Sequence, residues 1–169
     1  MEFHEISPDI FGMNVFRNIG KEHMIVTASN GEKHNGMTAS WGGIGVLFYR
    51  PVMFLFVRPE RYTYTFLEKG AYATLSFFSP AYRAAVAYYG THSGRVSDKE
   101  KETGLTSFRT AHGGIGYREA TYILGGELIY RGKLEESGFL DRSLLRHYEN
   151  GGYHGVFITD VREILEHNG

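Results

Sequence analysis

The chain has 169 residues, a formal net charge of −1 and no cysteine. That length suits one domain with a sizeable core, and the near-neutral balance argues against a broad surface for nucleic acid or anionic lipid while leaving room for a local basic pocket. Without thiols there are no disulfides, thiolate metal sites or iron–sulfur clusters, so any redox work falls to a bound organic cofactor. The polar, acidic start and the absence of a long apolar run predict a soluble, cytoplasmic protein with neither a membrane nor a nucleic-acid partner.

Residues 1–23, broken by Pro8 and Gly12, read as a covering segment in which Phe3, Phe11, Val15 and Phe16 pack over the body. Strand formers at 24–28 stop at Asn30-Gly31 and predict a hairpin with a strand over 37–41, which follows the Asn35-Gly36 turn pair and ends at Gly42-Gly43. The run 52–57 reads as a buried strand between Pro51 and Arg58-Pro59. A helix over 61–69 ends against Gly70, a strand over 72–78 follows, and Ser79-Pro80 opens a helix that reaches Gly90. Ser97 with Glu100 predicts a capping box for a short helix through Thr103, closed by Gly104. Strands are expected at 119–124 and 127–134 around a Gly125-Gly126 turn, then a helical turn at 143–148 and a long closing strand over 156–165. Together these predict a mainly β (α+β) fold: a six-stranded antiparallel split β-barrel of Greek-key type with short flanking helices, forming a single domain over 1–169. Closure hides strand edges that otherwise invite aggregation.

Arg58 and Arg61 stand between a buried strand and a helix start, where they either form surface ion pairs with Glu60 or Glu68 or hold a phosphate. Trp41, beside Thr38 and Ser40, is either plain core or the wall of a site for a flat ring with hydrogen-bonding edges. The segment 91–99 is either a solvated loop or a second arm closing on the same anion, with Lys99 as a point charge. Gly42, Gly43 and Gly45 lack the spacing of a dinucleotide turn and read as a bulge or loop. The eight histidines are scattered singly, so no metal site is expected. His154, within Gly151-Gly152-Tyr153-His154-Gly155, stands at the mouth of the last strand.

These pieces resemble the flavin reductase-like family, the FMN-binding split barrels that include flavoredoxin. The resemblance rests on Asn35-Gly-Met-Thr38-Ala-Ser40-Trp41-Gly, Val57-Arg58-Pro59-Glu-Arg61-Tyr62-Thr63, Ser93-Gly94-Arg95 with Asp98-Lys99, Thr103-Gly104-Leu105-Thr106 and the late Tyr153-His154; it covers 24–165. It implies a homodimer of split barrels, each binding one FMN non-covalently near the subunit interface. Asn35, Thr38, Ala39, Ser40 and Trp41 are implied to line the isoalloxazine and ribityl chain, and Arg58, Arg61, Tyr62 and Thr63 to hold the phosphate. Ser93, Gly94 and Lys99 complete the pocket, and His154 lies on the flavin or nicotinamide side; His154 and Lys99 are the catalytic candidates. The implied activity is an FMN-dependent oxidoreductase moving electrons from NADH or NADPH to an acceptor. Two alternatives stay open: an electron carrier of flavoredoxin type with redox-protein partners, and a ligand-binding barrel without redox function. Where many relatives carry an Ile-Gly-Glu-Val type ending, this chain has Phe157-Ile158-Thr159-Asp160-Val161, without the glycine.

Overall fold

A computed structural model of the chain describes residues 2–70 and 72–169; Met1 and Ala71 lie outside them. In chain order the elements are β1 (Phe3–Glu5), α1 (Val15–Arg17), β2 (Met24–Ser29), β3 (His34–Ala39), β4 (Gly42–Leu47), β5 (Arg50–Val57), α2 (Tyr62–Leu67) and β6 (Tyr72–Phe78). There follow α3 (Arg83–Thr91), α4 (Lys99–Thr103), β7 (Ser107–Arg109), β8 (Ile115–Tyr117), β9 (Ala120–Lys133) and β10 (Gly155–His167), with short 3-10 turns between some of them. The main sheet is antiparallel in the order β3-β2-β6-β9-β10-β5-β4, β1 joins β10, and β7 and β8 form a separate pair.

The two ends of that path, β3 and β4, are consecutive in sequence and joined by Ser40 and Trp41 alone. Three peptide steps reach at most about 11 Å. The sheet must therefore curl until its ends meet at this corner, yet no ladder joins β3 to β4 among the described residues. The barrel is split there.

Alternation along β2 shows how the core is divided. Met24, Val26 and Ala28 face the larger cluster with Met37, Met53, Leu55, Leu75 and Phe157, whereas Ile25 turns to a second cluster with Val86, Tyr89, Tyr117 and Ile123. All of β2 is buried because α3 and the β7–β8 hairpin cover the face that the barrel interior does not. Each large apolar side chain so enclosed contributes about 1.5–3 kcal/mol.

The mainly β architecture with short helices is as expected, but the strand count is ten rather than six among the described residues. Three local expectations change, and one turn carries no sequence signal. Gly42, Gly43 and Gly45 belong to β4, which pairs with β5; the Phe54 ring lies against Gly43 and Gly45, and that cross-strand cover offsets their poor strand propensity. The β4–β5 turn is Phe48-Tyr49, both at positive φ (55° and 57°), a conformation usually given to Asn-Gly, so sequence offers no turn signal. Gly125-Gly126 is no turn but the middle of the 14-residue β9. A Cβ on Gly126 would overlap the Asp160 carbonyl oxygen of β10, and one on Gly125 would sit 2.6 Å from Glu163 Oε1, so the glycines permit close strand approach beside a register shift. Finally, Asp98 rather than Ser97 caps α4, accepting from Lys101 N at 3.2 Å, while Glu100 instead bonds His34 and Ser107.

Phe11 and Val15 pack on the barrel as expected and Phe3 on the second cluster, but Phe16 is exposed. The run 157–161 forms regular pairs with β5 up to Asp160 and shifts register against β9 between Ile158 and Thr159 and again between Val161 and Glu163.

Candidate functional site

β3 is an edge strand: β2 pairs with one side of it, and no strand pairs with the other among the described residues. Every second residue therefore turns its backbone N–H and C=O away from the ladder. Around this free edge lie the last-turn carbonyls of α3, which lack intrahelical partners and favour cations. Two cations meet them. Arg61 donates to Gly90 O at 2.9 Å and to Tyr89 O at 3.4 Å, and Lys99 Nζ donates to Tyr89 O at 3.2 Å and to Gly36 O of β3 at 2.9 Å.

Two neighbouring cavities run along the edge. One, of about 150 Å³, is lined by Thr38, Ala39, Ser40, Trp41, Arg58, Arg61 and His154, with Met37 and Phe56. The other, of about 210 Å³, shares Met37 and Arg61 and adds Asn35, Tyr62, Ser93, Gly94 and Lys99, with Glu60 and His92 at its margin. Each alone falls below the roughly 300 Å³ at which small-molecule sites begin, and the two meet at Met37 and Arg61. The corner at Ser40-Trp41 and the loop at 91–99 thus flank Arg61 from either side, and the two adjoining cavities are called the cleft below.

Thr63 is placed differently. It is fully buried, and its hydroxyl accepts from Asn35 Nδ2 at 2.7 Å, so it positions Asn35 from behind the wall. Asn35 is pinned again by Gly94, where a Cβ would overlap Asn35 Oδ1; only glycine lets the 91–99 loop approach so closely. Thr38 Oγ1 donates to Val86 O of α3. Helix α2, expected over 61–69, has six residues, so the positive character of the cleft comes from side chains more than from a helix dipole.

None of Arg58, Arg61 and Lys99 forms an ion pair with a carboxylate among the described residues. Burial lowers the pKa of Arg61, and burial together with the Arg61 charge pushes Lys99 down to about 8. Both shifts have burial as their first cause; Glu60 opposes it at Arg61, whereas the Arg61 charge adds to it at Lys99.

At the other end, Trp41 is 42% exposed and sits edge-on to His147 (5.4 Å between centroids) and tilted against His154 (5.0 Å). His154 is buried, its Nδ1 is 2.7 Å from Tyr148 OH, and burial with the Arg58 charge lowers its pKa to about 4. Arg58 donates to His147 O at 2.7 Å and lies 5.2 Å over the Tyr148 ring, so it braces this cluster while lining the cavity. His147, Tyr148 and Phe56 escape the sequence reading. The signal for the first two is the mirrored pair His147-Tyr148 and Tyr153-His154 around Gly151-Gly152, which folds aromatic rings back on one another.

The flavin reductase-like domain family matches residues 16–169. No curated protein matches the chain. Among solved structures, an FMN-binding protein of Thermus thermophilus with bound p-hydroxybenzaldehyde is 23% identical over 87% of this chain and 72% of its own, with a TM-score of 0.67. Flavoredoxin of Desulfovibrio vulgaris (Miyazaki F) is 20% identical over 96% of this chain and 78% of its own, at 0.69. An NADH:FAD oxidoreductase of Streptomyces globisporus is 16% identical over 85% of this chain and 75% of its own, at 0.63. These likenesses establish a shared split-barrel fold. With the family match extending over nearly all of it, the chain belongs to the flavin reductase-like domain family.

Proposed function

We propose that the chain is an FMN-dependent oxidoreductase that moves electrons from NADH or NADPH to an acceptor, working as a homodimer. The observation that carries this reading is the pair of half-buried Arg61 and buried Lys99, neither ion-paired with a carboxylate among the described residues, lining one cavity together while Arg61 also lines the cavity that holds Trp41. The donor set fits FMN. A single phosphate matches two cations with Ser93 and Gly94 beside them, and the free edge of β3 offers backbone donors and acceptors to the polar rim of a flat ring. Structural relatives described as FMN-binding point the same way, although one relative is described as using FAD.

FMN, when bound, accepts hydride from the reduced nicotinamide and passes electrons onward. The chain's own work is to hold and orient. Arg61 and Lys99 fix the anionic tail, Asn35 is set by Thr63 and Gly94, and Trp41 flanks the ring end. His154, neutral at physiological pH, supplies a hydrogen bond rather than a proton. Positive charge on Lys99 stabilises any negative charge that develops in the cleft.

An absorbance spectrum of freshly purified protein, followed by NADH or NADPH without air, tests the reading. Flavin colour that bleaches promptly supports the reductase. Persistent yellow indicates an electron carrier of flavoredoxin type, and a colourless protein that also fails to take up added FMN refutes the flavin reading.

A further inference from the structure

Tyr148 and His154 are both buried, with the hydroxyl 2.7 Å from Nδ1. The hydroxyl carries one proton and has no other hydrogen-bond partner among the described residues; its ring is stacked on Tyr153 at 4.6 Å and covered by the Arg58 guanidinium, neither of which accepts. Burial also raises the pKa of Tyr148, so it keeps that proton. Were Nδ1 the donor, the tyrosine's own proton would be orphaned in a buried setting. The hydroxyl therefore donates, Nδ1 accepts, and the imidazole proton sits on Nε2.

We propose that Tyr148 is a positioning residue that locks His154 as the Nε2–H tautomer, so that the ring offers a hydrogen-bond donor to the ligand lying beside Trp41. No protein atom engages Nε2 among the described residues, and His154 lines the cavity with Trp41, Ser40 and Arg58. The charged and titratable neighbours of the ring are Arg58, Glu60 and, across Trp41, His147; burial and Arg58 oppose protonation and Glu60 favours it more weakly. Donation to the ligand rests on the FMN reading, whereas the tautomer does not.

The test is long-range proton–nitrogen correlation NMR on 15N-labelled, flavin-free protein, with the signals assigned through His154→Gln. The expected result is a protonated Nε2 and a bare Nδ1, unchanged on lowering the pH from 8 to about 5, because the ring's pKa is held near 4. An Nδ1–H ring, or a doubly protonated one at pH 7, overturns the proposal whether or not any variant folds. In Tyr148→Phe the two tautomers should mix while the ring stays neutral at pH 7, since burial and Arg58 remain; a ring that stays wholly Nε2–H overturns the role of Tyr148. FMN affinity, followed by fluorescence quenching, should fall on the order of fivefold in Tyr148→Phe. In the His154→Gln background, where the amide N–H needs no tautomer, the same change should cost nothing; equal losses in both backgrounds would reduce Tyr148 to a packing residue. Wild-type protein with the Nε2–H ring that binds no FMN would leave the lock standing and remove both the flavin reading and the donor's target, and flavin binding with the wrong tautomer would do the reverse.

Discussion

Lys99→Met separates what a buried cation costs the fold from what it gives the site. Lys99 is 7% exposed, its ammonium donates to the Gly36 and Tyr89 carbonyls and to no carboxylate among the described residues, and its pKa falls from 10.5 to about 8. Holding the charge therefore costs the flavin-free fold about 2–3 kcal/mol at pH 7, after allowing for water on the cavity side. Methionine removes that cost but loses two hydrogen bonds, at about 1 kcal/mol each, while Gly36 O keeps Asn35 Nδ2 and Tyr89 O keeps Arg61 as donors. The variant should accordingly lie within about 1 kcal/mol of wild type in urea denaturation, where a simple loss of two hydrogen bonds predicts a clear drop. The pH dependence has a definite sign. Between about 8 and 10.5 the unfolded chain binds the proton that the folded chain has released, so wild-type stability rises with pH through that window, and the penalty is complete below about 8. Lys99→Met should lack this rise. FMN affinity should meanwhile fall by about 2–3 kcal/mol, some 30- to 150-fold, for the loss of one short-range charge pair at an effective dielectric near 20. Riboflavin, which has no phosphate, is the control and should change less than about threefold. A stability loss of about 2 kcal/mol or more with FMN affinity intact, or equal losses for FMN and riboflavin, would refute the reasoning.

Trp41→Ala should weaken FMN about tenfold in a fluorescence titration while leaving the melting temperature of the flavin-free protein nearly unchanged, since the ring is already 42% exposed. Gly94→Ala should drive Asn35 off Thr63 and weaken FMN at least tenfold; preserved affinity would mean that the loop relaxes freely. Gly126→Ala should destabilise the protein by about 2–4 kcal/mol, because its Cβ meets backbone rather than a movable side chain, and chemical denaturation reads this directly. Replacing Phe48-Tyr49 by Asn-Gly should stabilise by about 1–2 kcal/mol, since both residues hold positive φ and both are exposed.

Much of the fold was legible because the strands at 24–28, 52–57, 72–78 and 156–165 have propensity, patterning and punctuation in agreement. The failures have one origin, that glycine carries two opposite meanings. At Gly104 it caps a helix through a positive φ, as read, whereas Gly70 holds a positive φ in the turn beyond α2, which is already capped by Glu68. At Gly42 and Gly125-Gly126 it marks instead a place where a neighbouring backbone or side chain comes too close for a Cβ, and at Gly43 and Gly45 simply a strand position covered by the Phe54 ring; nothing local distinguishes the cases. The residues proposed for the cleft were likewise legible as types. What gathers them is not: Arg61 and Lys99 meet through the carbonyls of Tyr89 and Gly90, groups that every residue possesses. Tyr148 was missed because the mirrored pairs around Gly151-Gly152 signal that the aromatic rings fold back but not that its hydroxyl meets His154 Nδ1.

The position of the cleft follows from the way the sheet fails to close. Two residues are enough to carry the chain from β3 to β4 but not to bring the strands into register, so the edge of β3 keeps unpaired backbone groups inside the protein. Such groups need partners. Gly36 O takes its bond from Lys99, and the α3 segment reaches Thr38, but the stretch from Met37 to Ser40 borders open cavity. A flat ligand with donors and acceptors along one rim completes this edge as a further strand would, without the twist that a strand must bring. The cations then decide which flat ligand fits: one whose anionic tail leaves the ring toward α3. A ring lacking the tail should bind weakly, and a phosphate alone should bind weakly too. FMN should therefore bind more tightly than riboflavin by roughly the free energy that Lys99 and Arg61 together supply, a difference that shrinks with added salt only so far as the cleft admits ions.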